Sequence, residues 1–155
     1  AAWFFIASHP NHLSFRDDLP AQGVLASTFR SPHLPALLLA TGGLFLPLLA
    51  IPFLGRAFRR LARRVIDQDS VKLNINLAEQ HLYRIDWQRD KVTFLVDGDI
   101  VLQTTASPIA PLGLVLWIDN QFAALPPDGR LRFGTLANPD EAWIEITDLS
   151  MQSQS

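Results

Sequence analysis

From Val71 onward the chain alternates. Val71, Leu73, Ile75 and Leu77 are separated by Lys72, Asn74 and Asn76, which is the two-residue period of a strand with one dry face and one wet face. Residues 81–88 alternate again, with Tyr83, Ile85 and Trp87 on one side and Arg84 and Asp86 on the other. Trp87 is expected in the core. The apolar runs 91–97 and 99–104 flank Asp97-Gly98. Asp-Gly between two such runs predicts a tight hairpin, because both residues tolerate the positive φ of a type I′ turn. Residues 112–120, 129–134 and 141–148 read as further strands. Near the start, 3–8 and 23–30 are short strand-like runs closed by His9-Pro10-Asn11 and Ser31-Pro32.

The stretch between these regions follows another rule. Residues 31–55 carry no formal charge, are rich in Leu and Ala, and contain Pro32, Pro35, Pro47, Pro52 and the pair Gly42-Gly43. Ala57, Leu61 and Val65 then recur every four positions with Phe58 and Ala62 beside them, and arginines fill the positions between. This predicts an amphipathic helix over 53–66, with a second helix over 37–49 interrupted near the glycines. No helix alternates with the strands after residue 71, which excludes a parallel α/β sheet. The expected fold is mainly β: an antiparallel β-sandwich of the jelly-roll type, one domain over 1–155, with a helical insertion at 31–66.

Composition narrows the functional classes. Of the 155 residues 48% are hydrophobic and 18% charged; the usual charged share is about a quarter, so this is an ordered, apolar chain with enough length for a core. A formal net charge of −2 gives no general attraction for nucleic acid, and the arginine-rich stretch lacks the series of stacking aromatics that a single strand needs. No nucleic-acid partner is expected. The absence of cysteine excludes disulfides, thiolate nucleophiles and cysteine-ligated zinc and leaves the compartment open. The opening Ala1-Ala2-Trp3-Phe4-Phe5-Ile6 has neither a basic flank nor a small-residue cleavage site, so it reads as a strand continuing a longer sequence rather than as a signal peptide.

The segment His81-Leu82-Tyr83-Arg84-Ile85-Asp86-Trp87, followed by Lys91-Val92-Thr93-Phe94-Leu95-Val96-Asp97-Gly98, resembles a signature of the concanavalin A-like lectin/glucanase superfamily. Pro111 to Gln121 (PLGLVLWIDNQ) and Ala2-Trp3-Phe4-Phe5 look like an uncharacterised, glucanase-like branch of it. The resemblance covers about 71–149 and, more faintly, 1–30. It implies a jelly roll and carbohydrate chemistry. Catalysis in the glucanase branch uses a strand of the form E-x-D-x-x-E. That pattern is missing, the glutamates being Glu79, Glu141 and Glu145, so no catalytic residue is assigned. A glycoside hydrolase-like domain whose carboxylates lie outside this chain is one alternative.

Trp117, Asp119 and Gln121 share a face if one regular strand runs through them. An indole, a carboxylate and an amide suit a sugar ring, whose apolar side stacks and whose hydroxyls bond. These three are the candidate glycan-binding residues, set against the plainer alternative that Trp117 is core and Asp119-Asn120 begin a turn. Arg56, Arg59, Arg60, Arg63 and Arg64 are candidates for contact with an anionic lipid surface, the third class being a structural or membrane-peripheral domain without ligand chemistry. The length of 31–55 meets the roughly 20-residue requirement of a membrane span, with arginines at one face. A span there would separate strands needed on both sides, so a helical insertion packed against the sandwich is preferred. His9 and His12 near Asp17 and Asp18 lack a specified third ligand, so no metal is assigned and no cofactor is expected. His81 is expected at the surface or hydrogen-bonded, and Asp97 as a cap on backbone N–H groups of its turn.

Overall fold

A computed structural model describes residues 1–31 and 51–152. Among these residues the order is β1 (Ala2–Ala7), β2 (Gly23–Arg30), α1 (Pro52–Val65), β3 (Asp67–Lys72), β4 (Tyr83–Trp87), β5 (Val92–Val96), β6 (Asp99–Thr104), β7 (Gln121–Ala124) and β8 (Arg132–Thr135). The helix expected over 37–49, and most of the uncharged run, lie outside the described residues.

The strands form antiparallel sheets in the orders β1-β2-β3, β4-β5-β6 and β7-β8. The first two face one another. Register sets Phe4 opposite Ala26, and Ala26 opposite Val71, so one row of β1-β2-β3 points inward together. It meets Val92, Phe94 and Val96 of β5, with Leu73 beside them. The Phe4 ring stands at 90° to that of Phe94, centroids 5.3 Å apart, and edge-on to Tyr83 at 5.0 Å. Thr28 Oγ1 donates to the Ala106 carbonyl at 2.6 Å, which joins the sheets by a buried hydrogen bond. This is the β-sandwich with a helical insertion that the alternation predicts. The third sheet is attached through the loop after β1: His12 N–H donates to Ala123 O at 3.0 Å, and Ala123 N–H to Asn11 Oδ1 at 3.1 Å.

The insertion sits inside a hairpin. Arg30 at the end of β2 pairs directly with Asp67 at the start of β3, so the chain leaves and re-enters the sheet at one point. A single membrane crossing between these partners would pull them apart. Pro52 starts α1 where its missing N–H costs nothing, and Arg63 and Arg64 lie in the last turn, where the helix dipole favours cations. The helix packs closely on the loop before β8, since a Cβ on Gly55 would lie 1.9 Å from Gly129 O. Asp97 and Gly98 have φ of 54° and 91°, and the hairpin forms between β5 and β6 where expected.

Several boundaries differ from the alternation. β3 begins at Asp67 rather than Val71 because pairing starts as soon as the insertion returns to Arg30. It ends at Lys72, opposite Leu25 near the start of β2; Leu73 N–H still reaches Val24 O, and Asn76 then turns the chain by accepting from Ala78 N–H. Residues 112–120 and 141–148 belong to no ladder among the described residues. Pairing starts only at Gln121, whose N–H donates to Asp119 Oδ1 while Asn120 Nδ2 donates to Leu136 O. Trp87 is half exposed on the outer strand β4, with Nε1 donating to Pro108 O at 3.0 Å, because an edge strand has a neighbour on one side only.

Candidate functional site

The face of the first sheet turned away from the core carries the aromatic side chains that the core does not use. Register places Trp3, Ser27 and Ser70 in one row, Phe5, Leu25 and Lys72 in the next, and Phe29 beside Gln68. Trp3 meets Phe5 at 5.4 Å and Phe29 at 5.8 Å. Phe29 continues to Phe15 at 6.5 Å, and Phe15 to Phe58 of α1 at 6.2 Å. At the other end Trp3 meets Trp117 at 5.9 Å, ring planes at 66°. All these contacts are edge-on, the geometry that aromatic quadrupoles favour. The result is a continuous series from the helix to Trp117.

Trp117 is the member most open to solvent, at 52% exposure. Its indole meets that of Trp3, and about half of the residue is open to solvent. Asp119 and Gln121 are exposed nearby in sequence. Asp119 Oδ1 accepts from Gln121 N–H at 3.1 Å, and Asn120 Nδ2 donates to Leu136 O at 2.9 Å. Asp119 and Asn120 therefore lead directly into β7, with Asp119 capping its first N–H, whereas Trp117 is half exposed rather than core. With 112–120 outside any ladder, strand alternation no longer places the three side chains on a common face. Behind Trp117, Trp3 Nε1 and, in the same row, Ser70 Oγ are buried without a hydrogen-bond partner among the described residues.

The arginines of α1 divide by function. Arg59 is 4% exposed; its guanidinium donates to Ser14 O at 2.6 Å, Leu125 O at 2.5 Å and Asp17 Oδ1 at 2.5 Å. It is a strut between the helix, the loop after β1 and the end of β7, buried among them. Arg63 holds the other Asp17 oxygen at 3.3 Å, and Arg56 donates to Asp128 O at 3.2 Å. Asp17, Arg56, Arg59, Arg60, Arg63 and Pro127 line a depression of about 150 Å³. Arg60 and Arg64 are exposed. His12 lies close to this cluster; burial, then the charge of Arg59, holds its pKa below the ordinary value.

Two further polar places remain. An open depression of about 370 Å³ is lined by Asp69, Lys91, Gln103, Thr104 and Thr105, without an aromatic platform. At the hairpin end, His81 Nδ1 lies 2.7 Å from Asp97 Oδ2 and Nε2 lies 3.1 Å from Asn76 O, while Leu82 N–H donates to Asp97 Oδ1 at 2.8 Å. Asp97 thus caps the entry to β4 rather than its own turn. The hydrogen bond to Asp97 raises the His81 pKa, and the same bond lowers that of Asp97. Among the described residues no hydroxyl is hydrogen-bonded to this pair. Among the described residues no group of three His, Asp or Glu side chains is placed to hold a metal ion.

The aromatic series and the Arg59 strut were not visible in the sequence as sites. Trp3-Phe4-Phe5 signals a strand with large side chains on both faces, which is the one trace of the series. A comparison with protein-family models, curated proteins and solved structures finds no match to this chain.

Proposed function

We propose that this chain is a carbohydrate-binding module of the concanavalin A-like type, with Trp117 as its stacking platform. The observation that carries this reading is the half-exposed Trp117 indole braced edge-on by Trp3 at 5.9 Å. An exposed ring normally loses side-chain freedom when a ligand stacks on it. Here the bracing by Trp3, itself held by Phe5 and Phe29, removes part of that cost in advance. The apolar C–H face of a pyranose would lie on the free indole surface, and the exposed Asp119 and Gln121 supply an acceptor and an amide for its hydroxyls. The sequence resemblance to the lectin/glucanase superfamily points the same way. Binding rather than hydrolysis is the role assigned, since glycosidic cleavage needs two carboxyl groups facing one bond and no such pair is assigned here.

The test is a glycan array probed with the folded chain and with Trp117→Ala. Wild-type protein is expected to bind a restricted set of glycans, and Trp117→Ala to lose that binding while melting at the same temperature. Trp117→Phe should retain a part of it. A wild-type chain that binds no glycan, or a Trp117→Ala variant that binds equally well, refutes the proposal.

A further inference from the structure

The faces of α1 are reversed from what burial of apolar groups alone would give. At 100° per residue, Gly55, Arg59 and Ala62 fall on one side, and these are the buried positions. Phe53, Ala57, Arg60, Leu61 and Arg64 fall on the other and are exposed. Phe53 is 60% and Leu61 59% exposed, while a guanidinium occupies the inward side. The inward side is fixed by needs of its own: a glycine against Gly129 and a donor for two buried carbonyls. Among the described residues the outward side has no such duty, and yet it carries two large apolar groups bordered by arginines.

Charge is equally one-sided. The helix contains no acid; at its flank Asp17 is already engaged by Arg59 and Arg63, and Asp18 by Arg16. Among the described residues Arg60 and Arg64 form no ion pair, and an apolar strip edged with such cations matches the interface of an anionic bilayer. There, aromatic and aliphatic side chains enter the headgroup–acyl boundary, and arginines extend to the phosphates. An acidic protein would answer the arginines and leave the apolar strip unexplained. The attachment also fits: the insertion hangs from the paired ends Arg30 and Asp67, so the helix can rest on a surface without disturbing the sandwich. Among the described residues no helix is long and apolar enough to cross a membrane.

We propose that α1 docks the protein on an anionic lipid bilayer, with Phe53 and Leu61 in the headgroup–acyl boundary and Arg60 and Arg64 on lipid phosphates. The test is co-sedimentation of the full chain with vesicles of phosphatidylcholine alone and of phosphatidylcholine containing phosphatidylglycerol. Binding is expected to the second and not the first, and to weaken with salt. The double variant Arg60→Glu/Arg64→Glu should bind roughly thirty-fold more weakly or worse, the loss of two cation–surface attractions. Phe53→Ser/Leu61→Ser should also weaken binding, and at high salt as well as low. All four positions are exposed, so unchanged melting temperatures confirm intact folds. Trp117→Ala should sediment like wild type, which keeps this result separate from the glycan reading. Equal binding to both vesicle types, no binding to either, an unaffected double variant, or equally tight binding to soluble polyglutamate would overturn the proposal.

Discussion

Removing the Arg59 guanidinium should be among the most damaging single changes in this molecule. Arg59 supplies donors to the carbonyls of Ser14 and Leu125 in a place almost closed to water. Truncation to Ala leaves those acceptors unmatched, at about 1–3 kcal/mol each, because water does not replace the lost donor. The third partner, Asp17, is half exposed and keeps Arg63, so its share is discounted to a surface-pair value of under about 1 kcal/mol. The expected loss for Arg59→Ala is therefore about 3–5 kcal/mol, the range for breaking a buried charged contact on one side. That is a large part of the roughly 5–15 kcal/mol typical of a whole domain. Arg59→Met keeps most of the volume and loses the donors, so it should fall only slightly short of Ala. Arg59→Lys has one compact donor head in place of a fork and should recover part of the loss. Arg63→Ala, which removes only the exposed contact, should cost less than about 1 kcal/mol. Urea unfolding monitored by tryptophan fluorescence measures all four, with the slope checked for constancy. A loss below about 1 kcal/mol for Arg59→Ala, or equal losses at Arg59 and Arg63, refutes the assignment of Arg59 as a strut.

Gly55→Ala places a methyl against the backbone of Gly129, which cannot swing aside as a side chain would. A loss of about 1–3 kcal/mol is expected from overpacking, read as a lowered melting temperature; an unchanged value would mean that the helix sits further from the loop. His81 and Asp97 give a pH signature. The raised His81 pKa stabilises the fold below its unfolded value of 6.5 and ceases to do so as pH rises through the folded value. The lowered Asp97 pKa stabilises above 3.8 and ceases to do so as pH falls through its folded value. The melting-temperature difference between wild type and His81→Asn should thus be greatest between those two pH values and shrink on both sides; a flat difference from acid to alkaline pH would show the pair to be uncoupled from folding.

The parts of the fold that were legible are those whose cause is local. Asp97-Gly98 can take positive φ wherever it stands, so its hairpin formed as predicted. The strands at 3–8 and 23–30 are bounded by Pro and Gly, and those boundaries held within a residue or two. The helix was also legible as a helix, but not its orientation. A four-residue repeat of Ala57, Leu61 and Val65 says that these positions neighbour one another, not that they face the sheet. The inward face was decided by the partner surface, which offers room only for Gly55 and two carbonyls that need a donor. Arg59 meets that need and Leu61 does not. The same limit explains residues 112–120 and 141–148. Alternation makes a segment able to pair, and a ladder then requires a neighbour at the right place, as Arg30 provides for Asp67.

The candidate site depended on a relation of the same non-local kind. Trp117 alone could be a core residue, a platform or a chance exposure, and the two-residue spacing to Asp119 and Gln121 could not decide, because Asp119 folds back on Gln121 N–H. What separates these meanings is Trp3, more than a hundred positions away in the chain. Its ring braces that of Trp117 at 5.9 Å, and its contacts through Phe29 and Phe15 reach Phe58. The series runs along the side of the first sheet opposite the sandwich core and joins the two surfaces argued here, the Trp117 platform and α1. A chain of edge-on rings between them has a physical consequence. Displacing Trp3 disturbs the bracing of Trp117 directly, whereas the outward positions Phe53 and Leu61 lie off the series. Changes on the helix's outer face should therefore leave the Trp117 platform intact, and the two surfaces can be altered one at a time.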